Sequence, residues 1–339
     1  MWMLVAVVFA GCFPSSCHRV EPRDIAPQDS LSRRLADSLT PDTIVSRRAY
    51  TGSGDQMLEW PRTVLLDALG HVYVGDTRRH SIFAFDRGGE LLRETTWPEA
   101  RFPYLAGWRG DTLVVLAPGE SQATVNYFAG SARVRTFSTP HVPVGTLQYA
   151  AAADSFIFLK AVTQADTHLV WQLNHHGDIV AETHLQGTSW DHAGLLRASS
   201  NRLFSLTGFF PHIIVWEDGL AKDPVTLRLH GFDSPMLRRS WAFLQGSTRN
   251  APLVTSSAVQ AGDYWFVLNL RPGWLRIDVY DTGGSLEYIL IEQNPGYRKQ
   301  FYPMDIAVRT VSEGEYDMAV ALVTEVPAVR RYTWTAAPH

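Results

Sequence analysis

Apolar and polar residues alternate in short runs along most of the chain, and glycine or polar turns separate the runs. The stretch from Gly70 to Leu91, GHVYVGDTRRHSIFAFDRGGEL, shows the unit: an alternating run, a polar turn, a second run, a glycine turn and a third run. Alternation at period two is the pattern of strands packed on their faces. A glycine in a short turn supplies the positive φ that joins antiparallel strands without strain. The unit recurs. Turns ahead of such runs fall at Gly70, Gly110, Ala153, Asn201, Gly262 and Gly314, and a further run follows each: SIFAFD, TVNYFAG, LVWQLN, HIIVWE, LRIDVYD and AVRRYTW. Steps of roughly forty to sixty residues are those of repeats built from four strands. After Thr40 no long segment has a helical period.

These observations predict an all-β fold in which six four-stranded antiparallel blades close radially into a β-propeller, an arrangement that leaves few sheet edges exposed. The last copy ends in AVRRYTWTAAPH with no room for a fourth strand. The strand-like segment DTIVSRRAYTG, Asp42–Gly52, is expected to supply it and so close the ring, which makes residues 42–339 the propeller. Within the first copy, DALGHVYVGDTRRHSIFAFDRGGELL resembles the NHL-repeat signature in its glycine, its YVGDT strand end, its I-x-x-F strand and its final D-x-x-G. The resemblance implies a six-bladed propeller of the NHL or TolB-like kind, with Asp76 organising its turn through backbone N–H groups. His80 stands where that consensus has asparagine. Such motifs specify shape rather than activity.

Composition adds a compartment. Hydrophobic residues make up 45% of the 339, with 11 Trp, 12 Tyr and 16 Phe, which suits a packed core. The net charge of −4 offers no general attraction to a phosphate backbone, and no nucleic-acid partner is expected. The opening MWMLVAVVFAGC is apolar from Met1 and too short to cross a bilayer, as in a secretory signal peptide. Its end, FAGC, resembles a bacterial lipobox, which implies a signal over residues 1–12, cleavage before Cys12 and lipidation of Cys12. The other reading is an ordinary signal with Cys12 and Cys17 in a small disulfide loop. Residues 13–41 read as a tether, with a short helix within DSLSRRLADSL. The expectation is an exported monomer, periplasmic or at the cell surface, held to the inner or outer membrane by lipid alone.

Loops between blades and loops joining second to third strands share one face, where a rigid scaffold displays functional residues. The between-blade segments offer Trp97, Tyr104, Trp190, Trp241 and Tyr297, with Phe102 and Phe301, as stacking surfaces. They offer Arg101, Arg238, Arg239 and Arg298, with Lys299, as cations for a carboxylate or a hydrogen-bonding ligand. The competing reading is that these aromatics pack between blades. In Gly231–Asn250, SPMLRRSWAFLQG is expected to make one or two helical turns over the loop face, with Leu237 and Trp241 packed inward and Arg238 and Arg239 free. The innermost strands contain Asp305, Gln148 and Arg197 but no set of three or four Asp, Glu or His, so no cofactor is expected; Asp305 is a lone candidate metal ligand. NHHGD, Asn174–Asp178, sits at a hairpin and reads as a solvated turn. No HExxH, phosphate-binding loop or nucleophile elbow occurs, and no catalytic residue is assigned. The function expected is binding of a protein, peptide or glycan at the loop face. The alternative is a lactonase, lyase or hydrolase with Ca2+ or another divalent metal in the axial channel.

Overall fold

A computed structural model describes residues 30–97, 102–143, 145–153, 155–163, 167–199, 202–247, 253–293, 298 and 300–337. Its strands form six four-stranded antiparallel blades in a ring. Blade one runs Pro61–Leu66, Val72–Asp76, Ser81–Phe85, Leu91–Thr96; blade two Tyr104–Arg109, Thr112–Ala117, Thr124–Ala129, Ala132–Ser138; blade three Leu147–Ala152, Ile157–Val162, Thr167–Leu173, Ile179–Gln186. Blade four runs Leu196–Ser199, Arg202–Leu206, His212–Leu220, Val225–Arg228; blade five Thr255–Ala261, Tyr264–Asn269, Arg276–Tyr280, Leu286–Glu292; blade six Phe301–Ser312, Glu315–Thr324, Ala328–Thr335.

The core is divided among the blade junctions, and period-two alternation explains the division. In Tyr264–Asn269, Trp265 and Val267 face blade four, while Phe266 and Leu268 face blade six. Because both faces of each blade meet a neighbour, second strands are buried on both sides and read as nearly continuous apolar runs, as in Ile157–Val162. Outer strands face solvent and are charged: Ala132–Ser138 carries Arg133 and Arg135.

Blade six takes its fourth strand from the N-terminal side. Ser46–Tyr50 pairs antiparallel with Ala328–Thr335, Tyr50 opposite Val329. The preceding Asp42–Ile44 runs parallel to the outer strand of blade five, so the segment from Asp42 serves two blades. Ser30–Ser38, within the span read as a tether, is helical; Ala36 and Leu35 join the core between blades four and five, and Ser32 Oγ accepts the Gly231 N–H at 3.1 Å.

The turn chemistry of blade one follows its sequence. Gly70 has φ +82°, and its carbonyl accepts Arg331 Nη1 at 2.9 Å from blade six. Asp76 is fully buried; Oδ2 accepts the N–H groups of Glu59 and Trp60 at 2.8 Å, and Oδ1 those of Arg78 and Arg79 at 3.0 Å. A single carboxylate thereby ties the polar turn to the lead-in of the first strand. His80, in the asparagine position of the consensus, has φ +51°, the left-handed region that asparagine enters more readily than most residues.

Candidate functional site

The innermost strands converge on one ion pair. Asp305 of blade six is 1% exposed. Its Oδ1 accepts the Ser257 hydroxyl at 2.6 Å and the Ile306 N–H at 3.0 Å; its Oδ2 accepts the Val64 N–H at 2.8 Å and the Arg197 guanidinium. Arg197 Nη1 donates to Leu105 O at 3.1 Å, and its Cζ lies 5.8 Å from the Tyr104 ring centre. Tyr104 in turn donates its hydroxyl to Leu196 O at 3.3 Å. Val64, Leu105, Arg197, Ser257 and Asp305 come from blades one, two, four, five and six, so the pair depends on ring closure. Burial works against the Arg197 charge, but adjacent Asp305 holds the guanidinium above its ordinary range. Burial also pushes the Tyr104 phenol up.

This pair joins the innermost strands, and it engages both oxygens of Asp305. A carboxylate offers about four lone-pair directions, and those of Asp305 are taken by the donors named above. Calcium needs six to eight oxygens. Among the described residues no group of three or more His, Cys, Asp or Glu comes together. The Asp305 carboxylate thus links blade six to inner strands of blades one, four and five.

The loop face has two built features. The first is Arg62, an exposed guanidinium near the start of the innermost strand of blade one, whose charge reaches the Tyr104 and Tyr149 phenols. The second lies over blades three to five. Trp190 packs edge-on against Phe209 at 5.0 Å and Phe243 at 4.8 Å, and Phe243 belongs to the helix Met236–Leu244. That helix is the one expected from SPMLRRSWAFLQG. Leu237 is buried, Trp241 is half-buried, and Arg238 and Arg239 are exposed. Ser240 Oγ donates to Phe209 O at 3.3 Å, and Asp233 pairs with Arg271 Nη2 at 3.0 Å, fixing the segment to blades four and five.

A buried lysine braces the segment that carries Trp190. Lys160, fully enclosed on the second strand of blade three, donates Nζ to His192 O at 2.8 Å, Ser205 Oγ at 2.7 Å and Gly194 O. It also lies 4.8 Å from the Tyr149 ring. Three partners surround the nitrogen, which is how a buried lysine avoids an unsatisfied polar group. Burial nonetheless holds its pKa well below the lysine range. His168 and His192 flank it with rings 4.8 Å apart. His192 Nε2 donates to Gln186 O at 3.1 Å, which leaves Nδ1 as a buried acceptor with no partner among the described residues. Burial, opposed by that hydrogen bond and reinforced by His168 and Lys160, takes His192 down to about 4. Both rings and Lys160 brace the segment Gly187–Leu195, on which Trp190 meets the helix.

The remaining sequence-derived residues fall in different places. Trp97 is buried between blades one and two, edge-on to Phe128 at 5.7 Å, and Tyr104 is buried at the axis; neither presents a stacking face. Phe301 is buried too, whereas Phe102 is 45% exposed. Arg298 is half-buried, 3.8 Å from Glu292 and over the Phe301 ring at 5.5 Å. Arg101, Tyr297, Lys299 and Cys12 lie outside the described residues. The structure places Trp241, Arg238 and Arg239 on one helix and sets Trp190 against Phe243 of that helix. Sequence reasoning passed over Arg62 and Lys160; the signal for Lys160 was a charge inside the apolar run FIFLKAV.

No family model and no curated protein matches this chain. Among solved structures it is similar to a streptogramin B lyase, at 13% identity and TM-score 0.51 over 86% of this chain and 87% of that one. It is also similar to a catalytically inactive virginiamycin B lyase from Staphylococcus aureus with quinupristin, at 9% identity and TM-score 0.51 over 86% and 98% of the two chains. At such identities the likeness concerns the fold: the chain is a six-bladed β-propeller.

Proposed function

We propose that this propeller binds an acidic peptide or glycan on its loop face, and that it does so as an exported, lipid-anchored protein. The observation that supports binding there is the Arg197–Asp305 pair. It joins inner strands of five blades, and the loop face has an exposed Arg62 on blade one and, over blades four and five, a helix presenting Arg238 and Arg239. Guanidinium forks suit carboxylates, and the half-buried Trp190 and Trp241 suit sugar rings or apolar side chains. The enzyme alternative, of the lyase or lactonase kind, needs a metal or an acid–base pair that the donors at the axis do not supply.

Fluorescent glutamate-rich peptides and uronic-acid oligosaccharides are the probes. The triple variant Arg62→Ala, Arg238→Ala, Arg239→Ala is expected to keep its melting temperature, since all three are exposed, and to lose at least about tenfold in affinity per lost charged contact. Equal affinity in parent and variant removes the loop-face reading. Turnover of a lactone or cyclic peptide that a chelator abolishes would move the assignment to the enzyme alternative. Lipid anchoring through Cys12 has its own test. Fatty-acid label in a Gram-negative host should mark the parent and be absent from Cys12→Ser; label that persists in the variant rejects the anchor.

A further inference from the structure

The face opposite the loop face carries a second cationic site that the loop-face reading does not use. A shallow surface pocket of about 300 Å³ lies at the turn end of blade two, lined by Arg109, Thr112, Tyr127, Val134, Arg135 and His175. The sheet places most of these side by side. Thr112 is opposite Arg109 across the first hairpin, and Tyr127 is opposite Arg135 across the last strand pair. His175 comes from blade three, in the turn Asn174–Asp178.

That turn is held against blade two by a close approach that only glycine permits. Gly177 has φ +92°, and a Cβ there would lie 2.6 Å from Phe137 Cδ2. Asn174 organises it: Oδ1 accepts the His176 N–H at 2.8 Å and the Asp178 N–H at 3.0 Å, and Nδ2 donates to Asp178 Oδ2 at 3.0 Å. Arg135 donates Nη2 to His176 Nδ1 at 3.3 Å and lies 5.9 Å from the Tyr127 ring centre. The Tyr127 hydroxyl is buried and has no hydrogen-bond partner among the described residues. No Asp or Glu lines the pocket.

We propose that this pocket binds the phosphate end of a small phosphate monoester. Two guanidiniums and an imidazole supply the charge and the forked donors that a dianionic tetrahedral group takes. Thr112 adds a neutral donor. Val134 and the Tyr127 ring form an apolar wall for the ester's organic part. The electrostatics agree: partial desolvation, then the charges of His176, Arg135 and Arg109, hold His175 below its ordinary value, and only Asp178 pulls the other way. A bound dianion reverses that balance, so the His175 imidazolium is favoured in the complex and its titration midpoint moves up on binding.

Phenyl phosphate, titrated into the full-length protein with the His175 ring resonance followed by NMR, tests this. The expected result is a saturable shift, an upward move of the His175 titration midpoint in the complex, and at least about a tenfold loss of affinity in Arg135→Gln and in Arg109→Gln. Both variants should match the parent in circular dichroism and melting temperature, which separates a lost contact from a lost fold. Phenyl sulfate, a monoanion, should bind more weakly. The proposal is overturned by the lack of a saturable shift, by unchanged affinity in the two arginine variants, or by phenyl sulfate binding as tightly as phenyl phosphate. Loop-face variants should leave this titration untouched, so the two sites succeed or fail separately.

Discussion

Arg197→Met is expected to lower the melting temperature by roughly 6–10 °C, from a loss of about 3–5 kcal/mol when one partner of a buried pair is removed, at about 2 °C per kcal/mol in a domain of this size. The cost arises because Asp305, 1% exposed, would keep a charge with no countercharge beside it. Leu105 O would lose its donor as well. The double variant Arg197→Met, Asp305→Leu should recover much of that loss, since an apolar replacement of both partners removes the uncompensated charge. Thermal unfolding of the parent, both singles and the double gives the coupling directly. A single variant within about 1 kcal/mol of the parent would mean that water reaches Asp305 and that the axis is open. The channel alternative for function would then regain its ground.

Architecture was legible because each level of the sequence pointed the same way. Alternation in Tyr264–Asn269 gave a strand with two apolar faces, and glycine turns such as Gly70 and Gly262 gave hairpins; a ring of antiparallel blades buries both faces of such inner strands. The turn role of Asp76 was legible by resemblance, and the helix of Met236–Leu244 by its Ser-Pro start and its apolar positions. What could not be read was which aromatic in a between-blade segment turns inward. Trp97 and Trp190 sit in similar contexts, yet Trp97 closes the junction against Phe128, while Trp190, on a segment that Lys160 braces, meets a helix. Pairings that exist only once the ring is closed were equally hidden. Arg197 and Asp305 were both visible as residues of inner strands, but nothing local says that strands 108 residues apart meet. The pocket at His175 was missed for the same reason, since its arginines come from blade two and its histidine from a turn of blade three.

Loss of the closing strand should have the largest effect of any change considered. Removal of residues 42–50 is expected to lower the melting temperature by at least about 10 °C, because Ile44 and Tyr50 leave the core and burying one large aromatic is itself worth about 3–5 kcal/mol. Tyr50 is fully buried, 5.5 Å from Phe85 of blade one, and its hydroxyl accepts Arg331 Nη1 at 3.2 Å while donating to Arg87 O at 3.3 Å. Arg331 also pairs with Asp317, which Arg309 reaches at 2.9 Å, and Arg309 donates to Ala68 O at 2.7 Å. The strand therefore packs against the one junction where the two ends of the ring meet. Burial presses against the charges, but Arg331 and Arg309 hold the Asp317 carboxyl below its ordinary value. Without Ser46–Tyr50, the edge of Ala328–Thr335 is left unpaired and open to association with other copies. Amide exchange distinguishes the outcomes. A ring that depends on closure should lose protection in blades one and six together, with the junction between them opening first. Exchange that rises only along Ala328–Thr335, at the parent's melting temperature, would show that the closing strand is an ornament on a ring that holds without it.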